Sequence, residues 1–281
     1  MLKSQNPSAL LALVQSEKRD KLIITVTANA SWIYPETKNH PETAEEIADA
    51  IYDCYKAGAS IAHIHADGIQ KETSKKIRDK CDILVQYGLS GQSLEMRRPL
   101  FEQHPDMISI ILTHHDEQFT NEAFNVLHLK SELEEYGRLC LKYNVKPEFE
   151  VWHTGAYWNL RYLERKGLVK KPYLLTIFFG WPGGSWSPVA PDEFIQRVKY
   201  MPEGSVYSTS IMDPDQTKIL MLAIASGGHV RVGTEDYPFI SEGVVAKDNA
   251  ALVSRIAGIA REMGREIADP KEARMMIGLD H

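Results

Sequence analysis

Two histidines separated by one residue are the first group whose types and spacing suggest chemistry. His63 and His65 end a short apolar segment, Ser60–His65, that has the composition of a β-strand. Alternate residues of a strand point to the same side, so both imidazoles can face one cavity. Two neutral imidazoles side by side suit a borderline metal ion such as Zn²⁺. A His-x-His pair on its own more often has an ordinary structural role.

A second charged group lies near the C-terminal end of the chain, in the segment GHVRVGTED (228–236). Arg231, Glu235 and Asp236 would be costly to bury at a strand end unless they pair with one another or with a cation. A surface ion pair is the alternative. If this strand and the His-x-His strand flank the same strand of a barrel, Glu235 completes a His₂Glu set. Three protein ligands leave an open position, which is typical of catalytic zinc, and the same set also suits Fe, Mn, Co or Ni.

Two glutamates share one face of a third segment, KPEFEVW (146–152). A carboxylate within an apolar strand is either salt-bridged or catalytic. Glu150 lies closer to the C-terminal end of the strand than Glu148, and it is therefore the better candidate for the site.

Weaker candidates follow two other strands. His114, in the run His114-His115-Asp116, is a candidate substrate contact. The paired glycines of WPGGSW (181–186) could let backbone N–H groups approach an anion, or could simply form a tight turn. The other histidines are assigned to the surface or to packing: His40, His104, His128, His229 and His281.

Strand-like and helix-like segments alternate along the chain, after a short N-terminal helix. The predicted strands are Leu22–Ala28, Ser60–His65, Ile83–Tyr87, Met107–Leu112, Glu148–Trp152, Tyr173–Phe178, Val206–Ser210 and His229–Val232. The predicted helices cover residues 41–57, 70–80, 93–103, 119–142, 157–167, 191–199, 215–225 and 242–263.

This alternation predicts an α/β protein, a (β/α)₈ TIM barrel forming a single domain over residues 1–281 with a short N-terminal helical extension. A doubly wound open sheet is the alternative. That fold normally has a Gly-rich phosphate loop after its first strand, where this chain reads Asn29-Ala30-Ser31-Trp32. In a barrel the active site forms at the C-terminal ends of the strands, where the candidate residues above are expected.

Composition narrows the cellular setting. The 281 residues are 43% apolar and carry a net charge of −6 without a basic run, which argues against a nucleic-acid partner. Three widely spaced cysteines indicate a reduced, cytoplasmic protein. No segment resembles a signal peptide or the ~20 apolar residues needed to span a bilayer, so we expect no membrane association.

Together these segments resemble the β-keto acid cleavage enzymes. The motifs that carry the resemblance are LIIT (22–25), AGASIAHIHADG (57–68), PDMIS (105–109), KPEFEVWHTG (146–155), FFGWPGG (178–184) and GGHVRVGTED (227–236). The resemblance implies a TIM barrel that holds a divalent metal, usually zinc, and forms a homo-oligomer, a dimer or tetramer. It implies the conversion of a β-keto acid and acetyl-CoA, as co-substrate, into acetoacetate and a new acyl-CoA.

Matching positions of the resemblance imply residue roles. They make the metal ligands His63, His65 and Glu235, the coupled catalytic group Arg231, Asp236 and Glu150, and the substrate-contacting hydroxyl Ser109. In this mechanism the metal stabilises the enolate of the keto acid, which attacks the thioester. Because the pKa of a guanidinium is too high for a base, Asp236 or Glu150 is expected to tune the arginine or to accept the proton.

The chain departs from the family pattern at three places. Gly88 replaces a usual Ser in substrate recognition, and Ser90 is the candidate substitute for that hydroxyl. Trp32 lies near the position of the acidic residue that recognises an amino group, and Ala66-Asp67 stands where an Arg is common. We therefore expect a β-keto acid with an uncharged or aromatic side chain. Faster turnover of 3-keto-5-aminohexanoate than of neutral analogues would contradict this.

Two other functions are compatible with the same residues. One is a metal-dependent hydrolase or retro-aldol lyase that acts on a small keto acid without CoA. The other is a non-catalytic barrel that binds a small acid. Dependence on acetyl-CoA separates the first from the expected reaction, and an Arg231→Ala variant that is more stable and binds ligand normally would indicate the second.

Overall fold

The computed structural model describes residues 20–30, 34, 37, 40–116 and 125–279. Its strands are β1 (Ile24–Thr27), β2 (Ile61–Ile64), β3 (Leu84–Tyr87), β4 (Met107–Ile111), β5 (His115–Asp116), β6 (Asn125–Val126), β7 (Lys146–Val151), β8 (Tyr173–Phe179), β9 (Ser205–Ile211), β10 (His229–Gly233), β11 (Phe239–Ser241) and β12 (Val244–Val245). Its helices are α1 (Ala44–Ala57), α2 (Gln70–Lys80), α3 (Leu94–Phe101), α4 (Lys130–Tyr143), α5 (Gly155–Arg165), α6 (Pro191–Tyr200), α7 (Gln216–Ala225), α8 (Asn249–Glu262) and α9 (Pro270–Met276).

Eight of these strands close into one parallel barrel, in the order β1-β10-β9-β8-β7-β4-β3-β2. The predicted (β/α)₈ barrel is confirmed, and the open doubly wound sheet is excluded. The remaining strands form two small hairpins, β5–β6 and β11–β12, on the loops that follow β4 and β10. Among the described residues, no helix is both long and apolar enough to cross a membrane.

Helix α1 illustrates why the sequence alternates as it does. Thr43 and Glu46 form a capping box at its start, and Gly58 ends it in the left-handed conformation. Its buried positions include Ile47 and Ile51, which recur at helical spacing and pack in the layer between helices and barrel. Each βα unit buries its apolar stripe in this way, so polar groups collect at the strand ends.

The order of the strands brings the candidate residues together. Strand β1 lies between β2 and β10, as the sequence reasoning required, with Thr27 in register with both His63 and Gly233. A Cβ on Gly233, whose φ is +149°, would overlap the Thr27 carbonyl, so only glycine fits there. The chain leaves β10 at this point, and Glu235 approaches the histidines of β2.

Two predicted helices begin later than the pattern indicated. The helix expected over 119–142 starts at Lys130, because residues 125–126 pair with His115–Asp116 in a hairpin. The helix expected over 242–263 starts at Asn249, where the Asp248 side chain accepts a hydrogen bond from the Ala251 N–H. Val244 and Val245 lie at helical spacing from the residues that follow them, but they form strand β12. Helix α9 was not expected, and the predicted N-terminal helix lies outside the described residues.

Candidate active site

Three potential metal ligands converge at the C-terminal mouth of the barrel. The His63 and His65 Nε2 atoms lie 3.5 and 3.4 Å from the carboxylate oxygens of Glu235, and 2.9 Å from each other. One donor atom from each residue lies within 4.8 Å of the other two. Zn–N and Zn–O bonds of about 2.0–2.2 Å in a tetrahedron separate two ligand atoms by roughly 3.3–3.6 Å. The two carboxylate distances match that geometry, and the imidazoles stand slightly closer.

A buried hydrogen-bonded chain orients His63. Its Nδ1–H donates to Gln86 Oε1 over 3.1 Å, and Gln86 Nε2 donates to Glu148 Oε2 over 3.0 Å. This arrangement leaves the lone pair on Nε2, facing Glu235. Burial, assisted by the charge of Arg231, lowers the pKa of His63 well below its ordinary value, so the imidazole is neutral. Burial and the charge of Glu150 raise the pKa of Glu148 to about 7.

His65 is fixed through its backbone, immediately after β2. Asn29 accepts from the His65 N–H over 2.9 Å and donates to the His65 carbonyl over 2.7 Å. Gly88, at the end of β3, gives both imidazoles room. A Cβ at Gly88 would lie 2.6 Å from His65 Nε2 and 2.8 Å from His63 Nε2, closer than van der Waals contact.

Arg231 links the ligand Glu235 to Asp236. Its Nη2 donates to Glu235 Oε1 over 2.7 Å, and its Nε donates to both Asp236 oxygens over 3.1 and 3.2 Å. Burial lowers the pKa of Arg231, but the two carboxylates raise it by more, so the guanidinium stays protonated. Burial raises the pKa of Glu235, but the charge of the Arg231 guanidinium outweighs burial and holds that pKa well below its usual range. Burial raises the pKa of Asp236 to about 6, and Arg231 opposes the rise.

These groups border a cavity of about 210 Å³. Its lining residues are His63, His65, Leu89, Ser90, Gly91, Gln92, His115, Glu150, Trp152, Phe178, Trp181, Arg231 and Glu235. Glu150 is 4% exposed, and one of its oxygens accepts a hydrogen bond from Trp152 Nε1 over 3.0 Å. The cavity is therefore lined both by charged groups around the candidate ligands and by aromatic rings.

The structure brings most of the predicted site residues together. Some of them line the cavity, and others are buried behind the residues that do. Ser90 and Glu150 line the cavity beside the ligand group and Arg231. Asp236 is fully buried behind Arg231, and Ser109 lies behind His63 with its Oγ 3.5 Å from Nδ1.

One of the predicted substrate contacts, His114, does not join this group, and another, Trp32, cannot be placed. The His114 side chain is exposed and lies near Asn125, 3.4 Å from its Oδ1, whereas the neighbouring His115 lines the cavity. His114 precedes the two-residue strand β5, whereas His115 is its first residue, so neighbouring histidines face in different directions. Trp32 lies outside the described residues, so the expectation attached to it stays a prediction.

Several residues of the site were missed by sequence reasoning. Gln86 lies within the buried strand β3, and Asn29 follows the end of β1. A polar residue at a buried strand position is a signal that the sequence offered in both cases. The aromatic residues Trp152, Phe178 and Trp181 gave no such signal, because an aromatic residue at a strand end is usually part of the core.

Fold and site together define a class of protein: a (β/α)₈ barrel with a buried cluster of metal-type ligands and charged residues at its C-terminal mouth. Residues 21–279 match the beta-keto acid cleavage enzyme family over nearly the whole chain, and the chain belongs to that family. The family predicted from the sequence is confirmed. Membership makes the protein a carbon–carbon bond-cleaving enzyme.

Relatives of known name support this assignment. The 3-keto-5-aminohexanoate cleavage enzyme of Fusobacterium nucleatum subsp. nucleatum is 34% identical over 92% of this chain and 98% of its own. The 3-dehydrocarnitine:acetyl-CoA trimethylamine transferase of Rhizobium meliloti is 25% identical over 94% of this chain and 98% of its own. The apo structure of ObcA is 16% identical, with a TM-score of 0.69 over 85% of this chain and 65% of that chain. The likeness to ObcA concerns the fold.

Proposed function

We propose that this enzyme condenses a β-keto acid with acetyl-CoA and releases acetoacetate and a new acyl-CoA, using a divalent metal held by His63, His65 and Glu235. The observation that carries the proposal is the shared cavity, which joins the three metal-type ligands to Arg231 and Glu150. The names of relatives support the co-substrate, since a 25% identical relative is an acetyl-CoA-dependent transferase.

The residues present fit a metal ion. The donor atoms converge within 4.8 Å, His63 is neutral with its lone pair on Nε2, and Glu235 is ionised. Gly88 leaves space beside the imidazoles that a Cβ would fill. The set of two imidazoles and one carboxylate supports zinc, with an open position for substrate. When bound, the metal supplies a Lewis acid for the keto and carboxylate oxygens of the substrate.

Glu150 is the residue that we propose moves the proton. It is the cavity-lining carboxylate that is not a proposed ligand, and one of its oxygens is held by the Trp152 N–H. The other oxygen takes a proton from the α-carbon of the keto acid, and the carbanion attacks the acetyl-CoA carbonyl with loss of CoA thiolate. CoA thiolate then attacks the original keto carbon, and Glu150 returns its proton to the acetoacetate carbanion released by carbon–carbon cleavage.

Arg231 serves as a fixed positive charge in this scheme. The carboxylates around it keep it protonated, so it donates hydrogen bonds rather than accepting a proton. Asp236 holds the guanidinium from behind and does not line the cavity. A preorganised donor of this kind stabilises negative charge as it develops on the substrate oxygens.

Metal analysis combined with an assay for acetoacetate tests the proposal. The enzyme is stripped with a chelator, reconstituted with Zn²⁺ and supplied with a panel of β-keto acids, with and without acetyl-CoA. We expect about one metal ion per chain, and acetoacetate only when both metal and acetyl-CoA are present. Product without acetyl-CoA would instead indicate a hydrolase or a retro-aldol lyase, and a failure to bind any metal would refute the ligand set.

The proposal also includes a cytoplasmic setting and a homo-oligomer, both of which rest on the sequence pattern and the family resemblance. Sedimentation velocity of the purified chain measures the second directly. A dimer or tetramer is expected, and a stable monomer at micromolar concentration would contradict it.

A further inference from the structure

Four aromatic rings line the same cavity as the candidate ligands. We call them the ring cluster: His115, Trp152, Phe178 and Trp181. Trp152 stacks on His115 at a centroid distance of 3.7 Å and on Phe178 at 4.2 Å, and Trp181 meets its edge at 5.4 Å. Each ring is at most 5% exposed to solvent, yet each one faces the cavity. The cluster thus borders the cavity while most of its ring surface is packed against protein.

Only Phe178 lies within a barrel strand; Trp152 directly follows the end of β7, and the other two rings are carried by longer loops. His115 lies on the hairpin that follows β4, and Trp181 lies on the loop that follows β8. A loop residue holds a fixed position only when other contacts restrain it. The structure therefore has to supply a restraint between the two loops.

That restraint is the carboxylate of Asp116, which is 2% exposed. Its Oδ1 accepts a hydrogen bond from the Gly184 N–H over 2.6 Å, and Ser185 Oγ donates to the His114 carbonyl over 3.3 Å. A Cβ on Gly183 or Gly184 would overlap the Asp116 carboxylate. The anion approached by the paired glycines is therefore a side chain of the protein itself.

We propose that the ring cluster binds the side chain of the β-keto acid and that Asp116 is the positioning residue that holds the cluster in shape. This inference rests on the proposed function and adds to it the substrate class, a keto acid with an uncharged, apolar or aromatic side chain. Asp116 does not touch the substrate; it acts through His115 and Trp181.

Charge in the cavity favours an uncharged side chain over a cationic one. The Arg231 guanidinium carbon already lies 5.2 Å from the Phe178 ring centre, so a cation bound at this ring would be repelled. Glu150 also lines the cavity, but one of its oxygens is hydrogen-bonded to the Trp152 N–H and the other is the proposed proton acceptor. Because it becomes neutral when it takes the proton, it cannot serve as a lasting counter-ion for a cationic side chain. Among the described residues that line the cavity, the remaining carboxylate is Glu235, which is a proposed metal ligand and is paired with Arg231. Apolar contact with the rings is the interaction that remains available.

Three substrates test the substrate class in the reconstituted enzyme. They are β-keto acids with an ethyl, a phenylethyl and a trimethylammonium side chain, each assayed for acetoacetate formed from acetyl-CoA. We expect kcat/KM to be at least about tenfold higher for the phenylethyl compound than for the ethyl compound, as the loss of apolar contacts predicts. A preference for the trimethylammonium compound, or equal values for all three, overturns the inference and leaves the proposed function intact. If none of them reacts in an acetyl-CoA-dependent manner, both fall.

Variants of Asp116 and of Gly184 test the role of Asp116. In Asp116→Ala the Gly184 N–H loses its acceptor, and in Gly184→Ala the added Cβ displaces the carboxylate. We expect each variant to raise KM for the phenylethyl substrate about tenfold while kcat changes less than twofold. Asp116→Asn keeps an acceptor oxygen and should recover most of the loss.

Matched controls separate positioning from general destabilisation. Asp53→Ala removes an exposed carboxylate on α1, and Gly258→Ala adds a Cβ on α8 that meets nothing within 4 Å. Neither should alter KM. Near-ultraviolet circular dichroism reports the packing of Trp152 and Trp181, and its signal should weaken in Asp116→Ala and recover in Asp116→Asn. An equal fall in kcat for every substrate, or an unchanged KM in both Asp116→Ala and Gly184→Ala, overturns the role of Asp116.

Discussion

Replacing Gln86 by Met should weaken metal binding without unfolding the protein. Gln86 connects the Nδ1–H of His63 to the Glu148 carboxylate through hydrogen bonds of 3.1 and 3.0 Å, and it contacts no other proposed ligand. Methionine has a similar length and fills the same space, so the substitution removes the polar connection and leaves little cavity. His63 then loses the partner that fixes its tautomer.

The expected size of the effect follows from these contacts. Loss of such an outer hydrogen bond to a ligating histidine costs about 10- to 100-fold in metal affinity, or roughly 1.4–2.7 kcal/mol. Glu148 also loses a donor, but burial has already raised its pKa to about 7, so it takes up a proton instead of remaining as an uncompensated charge. The free energy of unfolding of the metal-free protein should therefore change by only about 1–2 kcal/mol.

Competition with a zinc-binding dye measures the affinity, and thermal unfolding reports whether the variant is folded. The matched control is Gln216→Met, which removes another buried glutamine whose Nε2 donates to the Ile211 carbonyl over 2.9 Å, away from the site. The control should lose stability and keep its affinity for zinc. A Gln86→Met variant that binds zinc within twofold of the wild type, or a control that loses just as much affinity, refutes the reasoning.

Three further predictions follow from individual contacts. Gly88→Ala should weaken zinc binding about tenfold or more, because its Cβ would lie 2.6 Å from His65 Nε2; an unchanged titration would contradict this. Glu150→Gln should lower kcat about 10²- to 10⁴-fold at an unchanged metal content, and a smaller loss would assign the proton to another group. Burial lowers the pKa of His229 to about 3, below its unfolded value of about 6.5. The buried neutral imidazole therefore contributes its full stability above about pH 6.5, and this contribution is lost as the pH falls towards 3. At about pH 5 the free energy of unfolding is lower by roughly 2 kcal/mol for this reason. Urea unfolding of the wild type and of His229→Gln, at about pH 5 and above about pH 6.5, should show a shallower pH dependence in the variant.

Much of the architecture could be predicted because it depends on local patterns. Strands of period two alternating with capped helices give the barrel, and parallel barrel order then places β2 and β10 on either side of β1. The convergence of Glu235 with the two histidines follows from that order alone. The fold and the candidate ligand set were therefore accessible without knowledge of side-chain packing.

What could not be predicted depends on register and on loop conformation. The chain from His63 through Gln86 to Glu148 requires the alignment of His63 with Gln86 in neighbouring strands, and sequence does not give that alignment. The choice between His114 and His115 depends on the direction of a two-residue strand. The contact between Asp116 and Gly184 joins two loops 68 positions apart, so no local pattern announces it.

The helices that began late illustrate a related limit. Val244 and Val245 have helical spacing with the residues that follow them, yet they form an exposed hairpin strand. The side chain of Asp248, which caps the start of α8, is the local signal that marks the true boundary.

The most direct test of the central claim follows the acetyl carbons of acetyl-CoA. The zinc-loaded enzyme is given acetyl-CoA labelled with ¹³C at both acetyl carbons and an unlabelled β-keto acid, and the products are analysed by mass spectrometry and NMR. The proposed reaction predicts acetoacetate labelled in its methyl and keto carbons only, together with an unlabelled new acyl-CoA in equal amount. Unlabelled products, or turnover at the same rate in a His63→Ala variant without metal, would contradict the account.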